Sequence, residues 1–351
     1  MAETTAIQWC DATFNPWRGC TKVAPECAHC YADKLSKRNP SALGTWGPNG
    51  TRVVAAESYW RQPLKWNRDA ERDGVRKRVF CASLADVFEE WDGPMLRGTD
   101  VDGVPFQLHH FEGGWRTARV TANFSADGPV TISDVRRRLF SLIDATPRLD
   151  WLLLTKRPEN IRRMWPGKGR SNVWLGTSAG TQETADEKIP ELLKCRDLSP
   201  VLFVSCEPML GPVCLQPRIK DCEFENHQGI NLDWIICGGE SGPGARPMHP
   251  DWARSLRDQC QAAGVPFFFK QWGDWLPFSQ SGLPAFSQYV PNWPDAIRDE
   301  MKRERWADGK PCRYLPGGGL DLTIRVGKKA AGRLLDGREW NEFPTVAEFA
   351  R

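Results

Sequence analysis

Six short apolar runs, recurring at intervals and each followed by a polar or glycine-rich turn, constrain this chain more than any other feature. They are RVFCAS (residues 78–83), DWLLLT (150–155), NVWLGT (172–177), VLFVS (201–205), DWIIC (233–237) and VPFFF (265–269). Continuous runs bounded by turn signals suit parallel strands buried on both faces. Helix-like stretches at 135–146, 158–164, 182–195 and 250–263 lie between them. Strand–helix alternation repeated this often predicts an α/β fold, either a partial or complete (βα) TIM-type barrel or a doubly wound sheet. GGESGPG at 238–244 lacks the spacing and helix opening of a dinucleotide fingerprint. The barrel is therefore favoured, with residues near 14–20 as its first strand.

Two regions break the alternation. Residues 92–133 are rich in Gly and Asp, with an alternating stretch at 116–124, and read as a β-rich insertion. Residues 273–351 are rich in Pro, Gly and Trp and read as a C-terminal extension capping the barrel of residues 1–272. A single barrel of this size is within the usual range.

The whole-chain numbers exclude several classes. No apolar run approaches the ~20 residues that span a bilayer, and the opening MAETT is no charged-then-apolar leader. The expectation is a cytoplasmic protein with no membrane partner. A net charge of +3 does not demand nucleic acid. The basic clusters at 76–78, 136–138, 156–157, 162–163 and 302–305 read as solvated helix faces. Most of the 17 tryptophans read as core, although Trp also stacks on bases.

Reducing surroundings make clustered thiols more apt for metal or catalysis than for disulfides. Of 12 cysteines, Cys20, Cys27 and Cys30 lie together within FNPWRGCTKVAPECAHCYADKL (14–35). The other nine are scattered, several of them inside apolar runs, and read as small buried hydrophobes. A closed structural zinc site needs four ligands. Cys27 and Cys30 supply one pair and Cys20 a third; His29, His109 or His110 would have to complete it. Three thiolates with one position left open instead suit a four-iron cluster whose fourth iron is free. Unligated thiols are the remaining reading. Placement after a first strand favours the cluster, because barrel chemistry sits on loops at the C-terminal ends of strands.

At these residues the chain resembles radical S-adenosylmethionine enzymes. The cysteine spacing of six and then two departs from the majority of that superfamily but matches a phage-associated branch with a WNPWxGCxxxSPGCxxCYA start. Further blocks at 152–161, 173–186, 203–212, 237–248, 266–275 and 331–344 carry the resemblance over most of the chain outside 92–133. The resemblance implies a barrel of the radical SAM kind, with Cys20, Cys27 and Cys30 holding a [4Fe-4S] cluster that reductively cleaves S-adenosylmethionine to a 5′-deoxyadenosyl radical. It implies an electron donor such as flavodoxin or ferredoxin, and host cytoplasm for a phage-encoded chain. Members of that branch are implicated in thymine hypermodification of phage DNA, so the implied substrate is a modified pyrimidine, in DNA or as a nucleotide. The implied reaction is isomerisation of a glycine-type adduct on thymine.

Polar residues at the strand ends complete the candidate set. Ser83, Asp86, Lys156, Thr177, Ser178, Gln182 and Glu207 are the candidate cofactor contacts. Arg157, Arg246, Gln271 and Trp272 are candidates for substrate binding, and Glu240 and Lys270 for catalysis. Each is also explained as a strand-end residue satisfied by a neighbouring loop. Paired acids such as Asp86, Glu207 and Glu240 also suit glycoside hydrolysis, but that leaves the cysteines unexplained. A nucleic-acid-binding protein with a structural metal is a further reading, as is methyl transfer or lyase chemistry on a small molecule.

Overall fold

The computed structural model describes residues 5–99, 105–111, 113–118, 128–215, 231–281, 312–315 and 321–345. The basic cluster at 302–305, Cys222, and parts of the insertion and C-terminal extension lie outside these.

The six apolar runs form strands β4 (Lys77–Cys81), β8 (Leu149–Thr155), β9 (Val173–Ser178), β10 (Val201–Cys206), β11 (Trp234–Gly238) and β12 (Phe267–Gln271). With β1 (Ala12–Thr13) they share a sheet ordered β1-β4-β8-β9-β10-β11-β12. Neighbours run parallel within β1-β4-β8-β9 and within β10-β11-β12. Strand β8 is buried along its length except at Leu154, and β10 and β11 throughout. Burial on both faces is why their sequences do not alternate.

This order corrects the TIM-type barrel expectation. The sheet has seven strands and two ends, a half-barrel, and no closed eight-stranded ring forms among the described residues. Nor do residues 14–20 supply the first parallel strand. The ladder ends at Phe14, whose N donates to Phe80 O at 2.9 Å. Pro16 has no N–H to continue it. The chain then turns into β2 (Trp17–Arg18), which pairs antiparallel with β3 (Arg52–Val54) in a different sheet.

Two compact units divide the chain: residues 1–177, 194–200 and 349–351, and residues 178–193 and 201–348. The first contains the second sheet, ordered β2-β3-β5-β6-β7. Strands β5 (Met95–Thr99), β6 (Pro105–Phe111) and β7 (Gly114–Ala118) come from the insertion, which is β-rich as expected. Helices α1 (Tyr31–Ser36) and α2 (Pro40–Leu43) follow the cysteines; α3 (Glu57–Trp60) and α4 (Gln62–Arg72) lead into β4. Helix α5 (Ile132–Asp144) starts at a capping box: Asp134 N donates to Thr131 Oγ1 at 3.3 Å, and the Asp134 carboxylate accepts Thr131 N at 2.8 Å. It buries Val135, Leu139 and Ile143 at helical spacing, each contributing ~1.5–3 kcal/mol. Helix α6 (Ile161–Met164) follows β8. Phe14 anchors this core, stacked on Tyr59 at 5.0 Å and edge-on to Trp151 at 5.6 Å.

The second unit holds β10, β11 and β12 with α7 (Gln182–Leu193) and α8 (Pro250–Ala263). Strands β13 (Trp275–Pro277), β14 (Cys312–Leu315) and β15 (Asp321–Arg325) make an antiparallel sheet ordered β13-β15-β14. Residues near 341 cover the edge of β12: Phe269 N donates to Trp340 O at 2.9 Å, and Phe268 bridges Asn341. Covering an unpaired strand edge removes a template for aggregation. No described helix is long and apolar enough to cross a membrane.

Candidate functional site

The cysteine loop begins where only glycine fits. Gly19 has φ +105°, and a Cβ there would stand 2.2 Å from Thr51 O. Its N donates to Leu84 O at 3.1 Å, fixing the loop beside the segment after β4. Cys20 comes next. A single 3₁₀ turn, Pro25–Cys27, carries the second cysteine, and Cys30 caps the start of α1, its N donating to Cys27 O at 3.2 Å. Lys22 Nζ ties the loop together through Ala28 O at 3.3 Å and Asp33 Oδ2 at 2.7 Å. All three thiols are free and half-buried.

Beneath Cys20 and Thr21 lies a buried network of charges. Arg52, fully enclosed, holds Glu89 by two hydrogen bonds of 2.7 Å and donates to Thr21 Oγ1 at 2.9 Å. Thr21 N donates to Glu89 Oε1 at 2.7 Å. Arg157 Nη2 donates to Thr21 O at 2.7 Å, and its Nη1 to Asp86 Oδ2 at 2.9 Å. That Nη1 also stands 3.8 Å from Cys20 Sγ. Asp86 accepts further bonds from Thr155 Oγ1 (2.6 Å), Lys156 N (3.0 Å) and Phe88 N (3.0 Å). Two guanidiniums and two carboxylates thus balance in a desolvated space, where an unpaired charge would be costly. Burial pushes the Cys20 thiol up to about 12, with the Glu89 and Asp86 carboxylates adding to the rise and Arg157 opposing it. Cys20 is therefore a neutral thiol in the bare protein.

The donor set suits a cluster by its chemistry: three thiols and an open fourth place. Among the described residues no three His, Cys, Asp or Glu side chains converge closely enough to hold one metal ion. A zinc ion with ~2.3 Å bonds would need its sulfurs within roughly 3.8 Å of one another. A cluster sends each thiolate to a different iron, and the three cysteines would have to draw together around it on loading. Of the histidines weighed as zinc ligands, His110 Nε2 is 3.1 Å from Asp134 Oδ2 at the α5 cap, and His109 is buried in the β-rich sheet.

The other candidates in this unit are interlinked. Asp86 and Arg157 form the ion pair described above. Ser83 Oγ accepts from Asn15 Nδ2 at 3.1 Å, and Ser83 O accepts from the Tyr31 hydroxyl at 2.7 Å. Thr177 Oγ1 donates to Thr155 O at 3.0 Å. Lys156 is half-buried and contributes its N to Asp86.

In the second unit, Lys270 Nζ pairs with Glu207 Oε1 at 2.9 Å, and a Cβ on Gly238 would meet that same oxygen at 2.5 Å. Glu240 is buried and held by Arg246 through Nη2 to Oε1 at 2.7 Å and Nε to Oε2 at 2.8 Å. Trp272 is enclosed, edge-on to Phe269 at 4.8 Å and donating Nε1 to Leu334 O at 2.8 Å. Gln271 is buried, with no hydrogen-bond partner for Oε1 among the described residues. Gln182 exchanges hydrogen bonds with the main chain of Cys214. Ser178 is buried, its carbonyl 3.5 Å from Lys188 Nζ.

Three residues of the network, Arg52, Glu89 and Asn15, are not among the candidates that the sequence singles out. Arg52 carries a signal: a lone cation heading the apolar run VVAA. Asn15 stands inside the cysteine motif, and its side chain accepts from Leu84 N at 2.7 Å. Arg136, expected on a solvated face, is instead buried and donates to Val87 O at 2.7 Å and Glu89 O at 2.8 Å.

A family model matches residues 4–93 and 114–344, passing over 94–113 within the insertion. That family is one of unknown function and cannot be equated with radical S-adenosylmethionine enzymes, so the resemblance to that superfamily is corrected. No curated protein and no solved structure matches the chain. The match covers most of the sequence, and the chain belongs to the family described as Protein of unknown function (DUF5131).

Proposed function

We propose that this chain is an iron–sulfur enzyme in which Cys20, Cys27 and Cys30 carry a [4Fe-4S] cluster and leave its fourth iron open for S-adenosylmethionine. The observation that supports it is three free thiols, and no fourth, on one glycine-rooted loop. Such a cluster supplies an electron that cleaves the bound sulfonium to a 5′-deoxyadenosyl radical, which abstracts hydrogen from the substrate. This chain's residues do the rest. Loading releases the Cys20 proton, and Arg157 Nη1, 3.8 Å away, offsets the resulting thiolate charge. The enclosed Arg52–Glu89 pair holds Thr21 and so fixes the root of the loop.

The proposed substrate is a pyrimidine bearing an amino-acid adduct, in DNA or as a nucleotide, isomerised without net redox change. Glu240 and Arg246 match the ammonium and carboxylate of such an adduct, and their ion pair must open to take them. The electron comes from a small carrier of the flavodoxin or ferredoxin kind, in a cytoplasmic setting. The test is anaerobic reconstitution with iron and sulfide, reduction, and incubation with S-adenosylmethionine and DNA bearing glycine-modified thymine. The radical's hydrogen returns to the rearranged substrate and S-adenosylmethionine re-forms. The proposal therefore expects a product of unchanged mass, no 5′-deoxyadenosine beyond uncoupled turnover, and cofactor cleavage read as passage of deuterium from the adduct α-carbon into the adenosyl 5′ position. Cofactor cleavage unaffected by every thymine adduct would overturn the substrate, and its complete absence from an iron-loaded protein would overturn the activity.

A further inference from the structure

A cavity of about 690 Å³ opens in the first unit, away from the cysteines but sharing a wall with their support. It is lined by Ser133, Arg136, Arg137 and Phe140 of α5, by Arg163 of α6, by Trp91, and by the acidic residues Glu89, Glu90 and Asp92. Three guanidiniums face it, and their partners differ. Arg163 is paired with Glu90, and Arg137 with Asp134. Glu89, whose residue also borders the cavity, is held by Arg52.

Arg136 is the exception. It is 5% exposed and its hydrogen bonds go only to the main-chain oxygens of Val87 and Glu89. Among the described residues no carboxylate comes within ion-pair distance of it, and its Nη1 donates to no acceptor. A desolvated guanidinium bonded only to carbonyl oxygens favours an anionic ligand. The N-terminal end of the 13-residue α5, with Ile132 and Ser133 at its first positions, adds a dipole of the same sense. Trp91, its ring carrying the Arg52 guanidinium at 4.0 Å, gives the cavity an aromatic wall backed by the enclosed Phe140. The volume is in the range that encloses small-molecule ligands.

We propose that this cavity binds a phosphate group attached to an aromatic base, as in a nucleotide or a nucleic-acid strand, with Arg136 as the central phosphate ligand. A phosphate at Arg136 takes a charge-assisted hydrogen bond from Nη1, and the base lies against the aromatic wall. The site does not depend on the cysteine loop or on iron.

The test titrates the full chain, purified without iron, by calorimetry with a deoxynucleoside 5′-monophosphate, its nucleoside, inorganic phosphate and a short single-stranded oligonucleotide. The monophosphate should bind at least about tenfold more tightly than the nucleoside or inorganic phosphate. Arg136→Met should remove that binding. Ser133→Asp, which adds a carboxylate at an exposed position on the cavity rim and in the first turn of α5, should weaken it about tenfold without lowering the melting temperature. Tighter binding of the oligonucleotide, lost in the same variants, assigns the phosphate to a strand; preference for the monophosphate assigns it to a free nucleotide. A nucleoside that binds as well as its monophosphate, or Ser133→Asp protein that binds like the parent, overturns the proposal. Failure here leaves the iron–sulfur reading untouched, and loss of the cluster leaves this binding intact.

Discussion

Arg157 Nη1 lies 2.9 Å from Asp86 Oδ2 and 3.8 Å from Cys20 Sγ, so one guanidinium joins the end of β8 to the first cysteine of the loop. Both partners of the ion pair are more than nine-tenths buried as side chains. Breaking such a pair from one side leaves an uncompensated charge and costs about 3–5 kcal/mol. Arg157→Met should therefore lower the unfolding free energy by about 3 kcal/mol, and Asp86→Asn alone by less, since the amide oxygen keeps an acceptor for Thr155. A double-mutant cycle in urea checks this: additive losses would mean the pair is not coupled.

Cys20 should react slowly. With its thiol pushed up to about 12 by burial and by Glu89 and Asp86, the thiolate is a minute fraction at pH 8. Alkylation by iodoacetamide, followed by mass spectrometry, should be more than about a hundredfold slower than for a free cysteine. The folded chain holds this proton more tightly than the unfolded chain does. The resulting stability is complete below the unfolded value of about 8.5 and is lost as pH rises above it.

Gly19→Ala should be much worse than Gly74→Ala. Both glycines have positive φ, but a Cβ at Gly19 collides with Thr51 O at 2.2 Å whereas Gly74 opens onto free space. The strained conformation alone costs about 1–2 kcal/mol; the collision should at least double that and displace the cysteine loop. Thermal melts of the two variants provide the comparison.

Glu57 should shape the acid limb of stability. Its hydrogen bond from Arg138, with Arg97 also nearby, holds the carboxyl down to about 2. A depressed carboxyl stabilises fully above its unfolded value of about 4.3 and loses that contribution as pH falls toward 2. Glu57→Gln should be less stable than the parent at pH 7, with the difference shrinking between pH 4.3 and 2. A constant difference across that window would exclude the assignment.

The parallel strands are legible in the sequence because burial on both faces leaves an unbroken apolar signature, as in the WLLL of β8 and VLFV of β10. The first strand is misplaced by the aromatic density at residues 14–17, which outweighs Pro16, the residue that ends the ladder. Closure of the sheet is not written in any local pattern, so alternation alone overreaches to a barrel. The cysteines are legible as a group. Their support is not, since Arg52 and Glu89 sit 37 residues apart and meet only through tertiary folding. Arg136 is hidden among three consecutive arginines, of which only the tertiary fold selects one for burial. Trp272, expected as a stacking surface, is a core residue, and a strand-end tryptophan gives no sequence sign of which way it turns.

The most direct measurement is the iron and sulfide content of the protein after anaerobic reconstitution, read together with its absorbance near ~400 nm. The account predicts about four iron and four sulfide per chain, lost together with the absorbance when Cys20, Cys27 or Cys30 is changed to Ala. A colourless protein holding one tightly bound zinc, or a cluster that survives all three substitutions, would contradict it.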